Sequence, residues 1–327
     1  MRSTLLITAA SVVLAALVAF GCGGVSGGGI GGTGIAQGVV ANSGVGGRNI
    51  LVGGIDFDIG TAMITVNGTA ATSSDLKPGM VVTVNGTIDD VSGTGVADQV
   101  QFESLVRGPV ESVDATNGII VVFGQPLVVT LGTVFDGTSL TTLQVGTVIE
   151  VSGLTDTGGD ITATRVTAVT RAGTFVVRGR ITALDTVAQT FQIRRVLVDF
   201  SGATVTGVGA GGLADGDLVR MVTTGIVGGL VVAETVEKRL PDIAVTTGLR
   251  LRLEGFITQV VNGSVFVLND QFAVRLTADT VIAGAGGARD LKPDARIIVE
   301  GRINANLRLV AQRIEIRTAA GGAPIRR

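Results

Sequence analysis

The chain has 327 residues, of which 46% are hydrophobic and 16% charged, with a net charge of −2. It contains one cysteine and no histidine, tryptophan or tyrosine, which excludes Ser-His-Asp and Cys-His catalysis, His-ligated zinc and haem, disulfide frameworks and Cys-rich metal sites. Fifty glycines and six prolines accompany enough apolar surface to drive folding. Abundant Val, Thr, Ile and Gly predict short strands joined by tight turns, an all-β chain.

The N-terminus reads MRSTLLITAASVVLAALVAFGC, in which one arginine precedes an uncharged run of 16 residues, Leu5 to Phe20. That run is shorter than the about 20 residues of a membrane span and suits the core of a signal peptide. Small residues at Ala19 and Gly21 lead into Cys22. The arrangement resembles the bacterial lipobox, in which cleavage precedes a cysteine that becomes lipid-modified. It departs from the usual pattern at Ala19, where leucine is common, and at the bulky Phe20. The resemblance implies a signal peptide over 1–21, lipidation of Cys22 and, with Gly23 next, sorting to the outer membrane. Two other readings remain open: cleavage elsewhere that leaves a free thiol, or Cys22 as the last residue of a retained anchor. The glycines over 22–34 form a flexible tether, and each lipid CH₂ buried in the bilayer contributes about 0.8 kcal/mol to attachment.

Beyond the tether one pattern recurs four times. Its closing block reads DLKPGMVVTVNG from Asp75, TLQVGTVIEVSG from Thr142, GLADGDLVRMVT from Gly212 and DLKPDARIIVEG from Asp290. The leading leucines, Leu76, Leu143, Leu213 and Leu291, are 67, 70 and 78 residues apart. An opening motif recurs as RGPVESVD from Arg107, RGRITALD from Arg178 and EGFITQVV from Glu254, its glycines 71 and 76 apart. Two anchors at matching spacing define a tandem repeat. Units are expected over 35–105, 106–172, 173–245 and 246–318, followed by a disordered tail over 319–327. Apolar residues alternate or run for five or six positions and stop at glycine, so each unit should hold five or six short, mostly antiparallel strands. Asn-Gly pairs at 67–68, 85–86, 117–118 and 262–263 are expected hairpin turns, and Leu76–Gly79 a Pro-containing turn. Open sheets of this size expose their edges, whereas closure of each unit into a small barrel removes them. Phe123, Phe191 and Phe266 are expected at equivalent places, filling the barrel ends.

The tether GGGIGGTGI, the block GIDFDIGTAMITVNG with SDLKPGMVVTVNGT, and the second unit from RGPVESVD to GDITATRV resemble a bacterial family of secreted proteins and lipoproteins. That family is built of tandem copies of a domain of unknown function. The resemblance extends over nearly all of 28–318 and implies four tandem small antiparallel β-barrels related to the oligonucleotide/oligosaccharide-binding architecture. It brings no catalytic residues. The third unit departs where Thr223 replaces the closing glycine, and the fourth where Asp294 replaces the turn glycine.

No chemistry-bearing constellation emerges. Asp56 with Asp58, Asp89 with Asp90, and Asp156 with Asp160 lack the spacing of a twelve-residue Ca²⁺ loop and read as solvated turns. Two carboxylates could serve a glycosidase, but aromatic sugar platforms are missing. The glycine runs at 27–34 and 207–212 lack the Gly-Lys-Ser/Thr of a phosphate loop. With no Tyr or Trp and a pI of about 5.3, the basic, aromatic groove of a single-strand binder is absent, and no nucleic-acid partner is expected. Residues 22–170 carry four basic and thirteen acidic side chains, residues 238–327 fourteen and eight. Such a gradient can orient the molecule against an anionic surface or a second copy. The expectation is a non-enzymatic, cofactor-free envelope lipoprotein, membrane-attached through Cys22, with modules strung in series that bind an envelope polymer or protein. The alternative is a small-ligand or glycan receptor, for which the diverged loop of the third unit is the place to look.

Overall fold

The computed structural model describes residues 32–43, 47–89, 92–169, 174–227, 230–239, 243–284 and 286–317. Cys22, the leader and the tail over 319–327 lie outside the described residues. Within them, two single turns of 3-10 helix, Ser73–Asp75 and Gly287–Asp290, interrupt an otherwise all-β chain, as the period-two patterning predicts.

The strands fall into four groups. The first holds β1 (Gly32–Ser43), β2 (Asn49–Val52), β3 (Ile55–Asp58), β4 (Met63–Val66), β5 (Thr69–Ala71), β6 (Val81–Asp89) and β7 (Thr94–Phe102). The second holds β8 (Val106–Pro109), β9 (Ser112–Asp114), β10 (Ile119–Val122), β11 (Gln125–Asp136), β12 (Val148–Thr155) and β13 (Ile161–Ala168). The third holds β14 (Phe175–Asp185), β15 (Thr190–Ile193), β16 (Val196–Asp199), β17 (Thr204–Thr206), β18 (Leu218–Val227) and β19 (Leu230–Lys238). The fourth holds β20 (Arg250–Asn262), β21 (Val265–Leu268), β22 (Phe272–Arg275), β23 (Val281–Ala283), β24 (Arg296–Ile303) and β25 (Leu309–Ile316).

In the first group β1 pairs with β2 and β6, β2 with β3, β3 runs parallel to β7, and β7 returns antiparallel to β6. The ladder closes on itself, as in a five-stranded Greek-key barrel. The third and fourth groups repeat this ring of pairings. In the second group the first strand is split into β8 and β9, and the same circuit runs through β10, β11, β13 and β12.

The closing glycine of the repeat marks a β-bulge. The register shifts at Asn85/Gly86, Ser152/Gly153 and Glu300/Gly301. A Cβ at Gly86, Gly153 or Gly301 would lie 2.1, 2.6 or 2.0 Å from the carbonyl oxygen of Val96, Thr162 or Val310. Glycine is required there because the neighbouring backbone presses in where the strand kinks. Thr223 replaces it in the third group because the ladder there slips twice, at Val222/Thr223 and Thr223/Gly225. Its hydroxyl donates to the Val232 carbonyl at 2.5 Å and accepts from the Gly225 N–H at 3.0 Å.

Some expected features take other forms. Asn67–Gly68 is a hairpin turn with left-handed φ of 51° and 79°, but Asn85–Gly86 lies inside β6 at the bulge. Phe191 and Phe266 are equivalent core residues, paired with Val198 and Val274. Phe123 is buried but not equivalent to them: Ile120, paired with Leu127, holds that place, and Phe123 sits in the following turn at φ 53°. β1 begins at Gly32, so the last residues of the expected tether are strand.

The groups are not separate beads. The long first strand pairs along one edge with the fourth strand of its own ring, leaving the other edge of that stretch open. That open edge is used between groups, which removes a hazard of unpaired strands. Gly34–Gln37 of β1 run parallel to Arg250–Leu253 of β20, and Val106–Arg107 of β8 pair antiparallel with Val176–Val177 of β14. One apolar core spans the second and third groups, while the first and fourth each enclose their own.

Candidate functional site

The four groups border a half-open chamber of about 630 Å³, whose wall takes residues from all of them. Side-chain joints hold the groups around it. Ser152 accepts the Val81 N–H at 2.8 Å, and Asn67 donates to Glu150 at 2.9 Å, linking the first group to the second. Burial pushes the Glu150 carboxyl up, against the downward pull of Arg107, Asn67 and Arg165. The guanidinium of Arg165 pairs with Asp136 and donates to the Pro78 carbonyl at 2.9 Å. Arg252 of the fourth group donates to the Gly53 carbonyl of the first at 2.5 Å, and Glu254 accepts the Val39 N–H at 3.0 Å.

The residue before the opening glycine is polar in every group, Gln37, Arg107, Arg178 and Glu254, and its contacts lie within a group or across a joint. Gln37 donates to Thr83 at 3.1 Å, Arg178 pairs with Glu103 at 2.8 Å, and Glu254 pairs with Arg296 at 2.7 Å. Gln37, Glu103 and Arg178 face the chamber. Glu103 also takes Arg239 at 2.6 Å, and Arg239 reaches Glu237 at 2.9 Å.

A second recurrent position lies fifteen residues after the opening glycine in the first three groups (Gly38, Gly108 and Gly179) and fourteen after Gly255 in the fourth, in the turn between the second and third strands. Gly53, Phe123, Arg194 and Asn269 occupy it with φ of 58°, 53°, 54° and 54°. It packs over the opening glycine, where a Cβ at Gly108, Gly179 or Gly255 would collide with Phe123, Arg194 or Asn269. Phe123 meets Phe175 with ring centroids 5.9 Å apart. Asn269 accepts the Phe256 N–H and donates to the Glu254 carbonyl, both at 3.2 Å. Arg194, on the chamber wall, donates through Nε to Gln125 Oε1 at 3.3 Å and through Nη1 to the Arg178 carbonyl at 2.8 Å. Its Nη2 is shielded and has no hydrogen-bond partner. Burial first, and the neighbouring Arg178 charge second, bring its pKa down to about 10.

The Asp156–Asp160 turn, DTGGD, is a three-way junction. Thr157 donates to Asp294 Oδ1 through its N–H at 3.0 Å and its hydroxyl at 2.7 Å. Asp160 pairs with Arg195 at 2.5 Å. Asp58 likewise pairs with Arg48 at 3.3 Å. Of the paired aspartates, Asp58 and Asp160 thus form ion pairs, while Asp156 accepts the N–H groups of Gly158 and Asp160 within its own turn; among the described residues no group of three or more acidic side chains is placed to hold a metal. The departure at Asp294 acquires a reason: it stands at φ 66°, where Gly79, Gly146 and Gly216 stand elsewhere, and its carboxylate clasps the second group.

Sequence reasoning did not single out Glu103 or Arg194. The signal for Arg194 was available, since a cation interrupts a series of Gly, Phe and Asn at one repeat position. Glu103 carries no such mark, because its partners lie 75 and 136 residues away.

No curated protein matches the chain. A solved structure, drosophila Unr CSD456, covers 65% of this chain and 97% of its own at 14% identity, with a TM-score of 0.19, too slight a likeness to bear on the fold or the site. Two stretches, 107–167 and 254–315, match the profile of the domain of unknown function DUF5666. They coincide with the ring of the second group and with that of the fourth, so these two groups are similar to one domain family that recurs along the chain.

Proposed function

We propose that the protein is a non-enzymatic binding protein of the bacterial cell envelope, held at the outer membrane by acylated Cys22, with its ligand in the chamber between the four strand groups. The observation that carries this reading is the chamber itself, about 630 Å³ and walled by all four groups. That volume is within the range of small-molecule sites. A scaffold for an envelope polymer or protein should instead repeat one surface on several groups. Here one repeat position holds Gly53, Phe123, Arg194 and Asn269 in the four groups, and of these Arg194 and Asn269 line the chamber, which favours a receptor with one composite site.

Thr182 is exposed on the wall, so Thr182→Trp should project an indole into the chamber and obstruct it. Native mass spectrometry of the full chain purified from envelopes should find a small molecule on the parent and none on this variant. If both are bare and both capture the same envelope proteins, the scaffold reading replaces the receptor. Cys22→Ala should move the protein from the membrane fraction to the soluble one; continued membrane fractionation would rule out the acyl anchor.

A further inference from the structure

We propose that the chamber receives an anionic ligand, an organic carboxylate with an apolar body, and that Arg194 is the residue that selects its charge. This deepens the receptor reading and rests on it.

The inference starts from how the cation is held. At its repeat position the other side chains are absent or satisfied within their own surroundings, whereas Arg194 brings a full charge to the chamber wall. Both of its acceptors, Gln125 Oε1 and the Arg178 carbonyl, are neutral. Among the described residues no carboxylate lies within ion-pair distance of it. Gln125 is itself fully buried, its amide donating to the Gly159 carbonyl at 2.9 Å and the Pro126 carbonyl at 3.1 Å. Its Oε1 is therefore fixed toward the guanidinium, and Arg194 lies against Gly179, where any Cβ would displace it. This is an ordered cation, not a surface side chain free to turn outward.

The nearest charges do not neutralise it. Arg178 shares Glu103 with Arg239, which also holds Glu237. Glu103 and Glu237 are thus engaged by Arg178 and Arg239, and both acceptors of Arg194 are neutral. Leaving a shielded cation without a counter-charge is unfavourable, and an anion arriving at the chamber wall relieves it. Burial and Arg178 together loosen the Arg194 proton, the direction an unmatched cation must show. Half-buried Val81, Leu105 and Leu218 line the same chamber, so the charged end of the ligand should be joined to an apolar body.

The test is isothermal titration of the full chain with octanoate and, separately, with octanol, which has the same body and no charge. Octanoate should bind at least tenfold more tightly than octanol. Arg194→Met should weaken octanoate at least tenfold and leave octanol unchanged, and Arg194→Lys should restore part of the octanoate affinity. A circular-dichroism melt of each variant checks that the fold is intact. Equal binding of octanoate and octanol, octanoate binding indifferent to Arg194→Met, or no octanoate binding at millimolar concentration would each overturn the assignment. Thr182→Trp separates the two levels. If it abolishes equal binding of both probes, the chamber stands as the site and the charge assignment falls. If octanoate still binds to it, the chamber is not the site and both readings fall.

Discussion

Gly301 faces the Val310 carbonyl so closely that a methyl group would lie 2.0 Å from that oxygen. The bulge cannot open without breaking its ladder, so Gly301→Ala should lower stability by roughly 2–4 kcal/mol. A urea midpoint unchanged from the parent would show that the kink tolerates a side chain. Asp156 offers a test of sign. Burial, followed by the charges of Asp160 and Asp294, raises its carboxyl above the ordinary 3.8, while N–H groups of Asp160 and Gly158 oppose the rise. The folded chain therefore holds this proton more readily than the unfolded one. Asp156 favours folding below the unfolded value, and that contribution is lost as pH rises through the higher folded value. Asp156→Asn, which keeps an oxygen for the two N–H donors, should be more stable than the parent at about pH 7, the gain vanishing near pH 3. Matched urea curves at both pH values measure it, and an equal offset at each would exclude the carboxyl as the cause.

At the scale of elements, the repeat pattern made the rings legible. Alternating apolar residues gave the strands, and glycine marked where they kink. Asn85–Gly86 shows the limit: the same dipeptide that turns a hairpin at 67–68 serves inside a strand at 85–86, and a local signal cannot separate the two. Phe123 shows another, since an aromatic three residues out of register looks equivalent until the pairing is known. The joints were less legible because they depend on residues far apart in the chain, but their positions left traces as departures from the repeat. Asp294 is the clearest. It adopts a left-handed backbone that glycine takes elsewhere and anchors Thr157 with two hydrogen bonds. Asp294→Ala, which keeps the strained backbone and removes the bonds, should cost about 1–3 kcal/mol. Asp294→Gly should cost less, because it relaxes the turn. Equal losses for the two variants would mean that backbone conformation contributes nothing there.

At the scale of the molecule, one carboxylate links the end of the first group to the third. Glu103 is 6% exposed and holds Arg178, which is 10% exposed, as well as Arg239. Removing one partner of a buried pair strands the other charge, so Glu103→Gln should destabilise the chain by roughly 3 kcal/mol. Adding Arg178→Met should recover part of that loss, and a chemical-denaturation cycle with no recovery would show that the pair is not coupled. The site was the least legible part in advance, since its wall forms only when all four groups meet.

The parallel seam between β1 and β20 also sets an order of events. Residue 34 must wait for residue 250 before its outer edge is covered, an interval of about 10–40 s at ordinary rates of synthesis. Throughout it the nascent chain presents a naked strand, open to chaperones and to mispairing with sister chains. The last repeat made is thus the one that seals the first, and a chain interrupted before it carries an adhesive end.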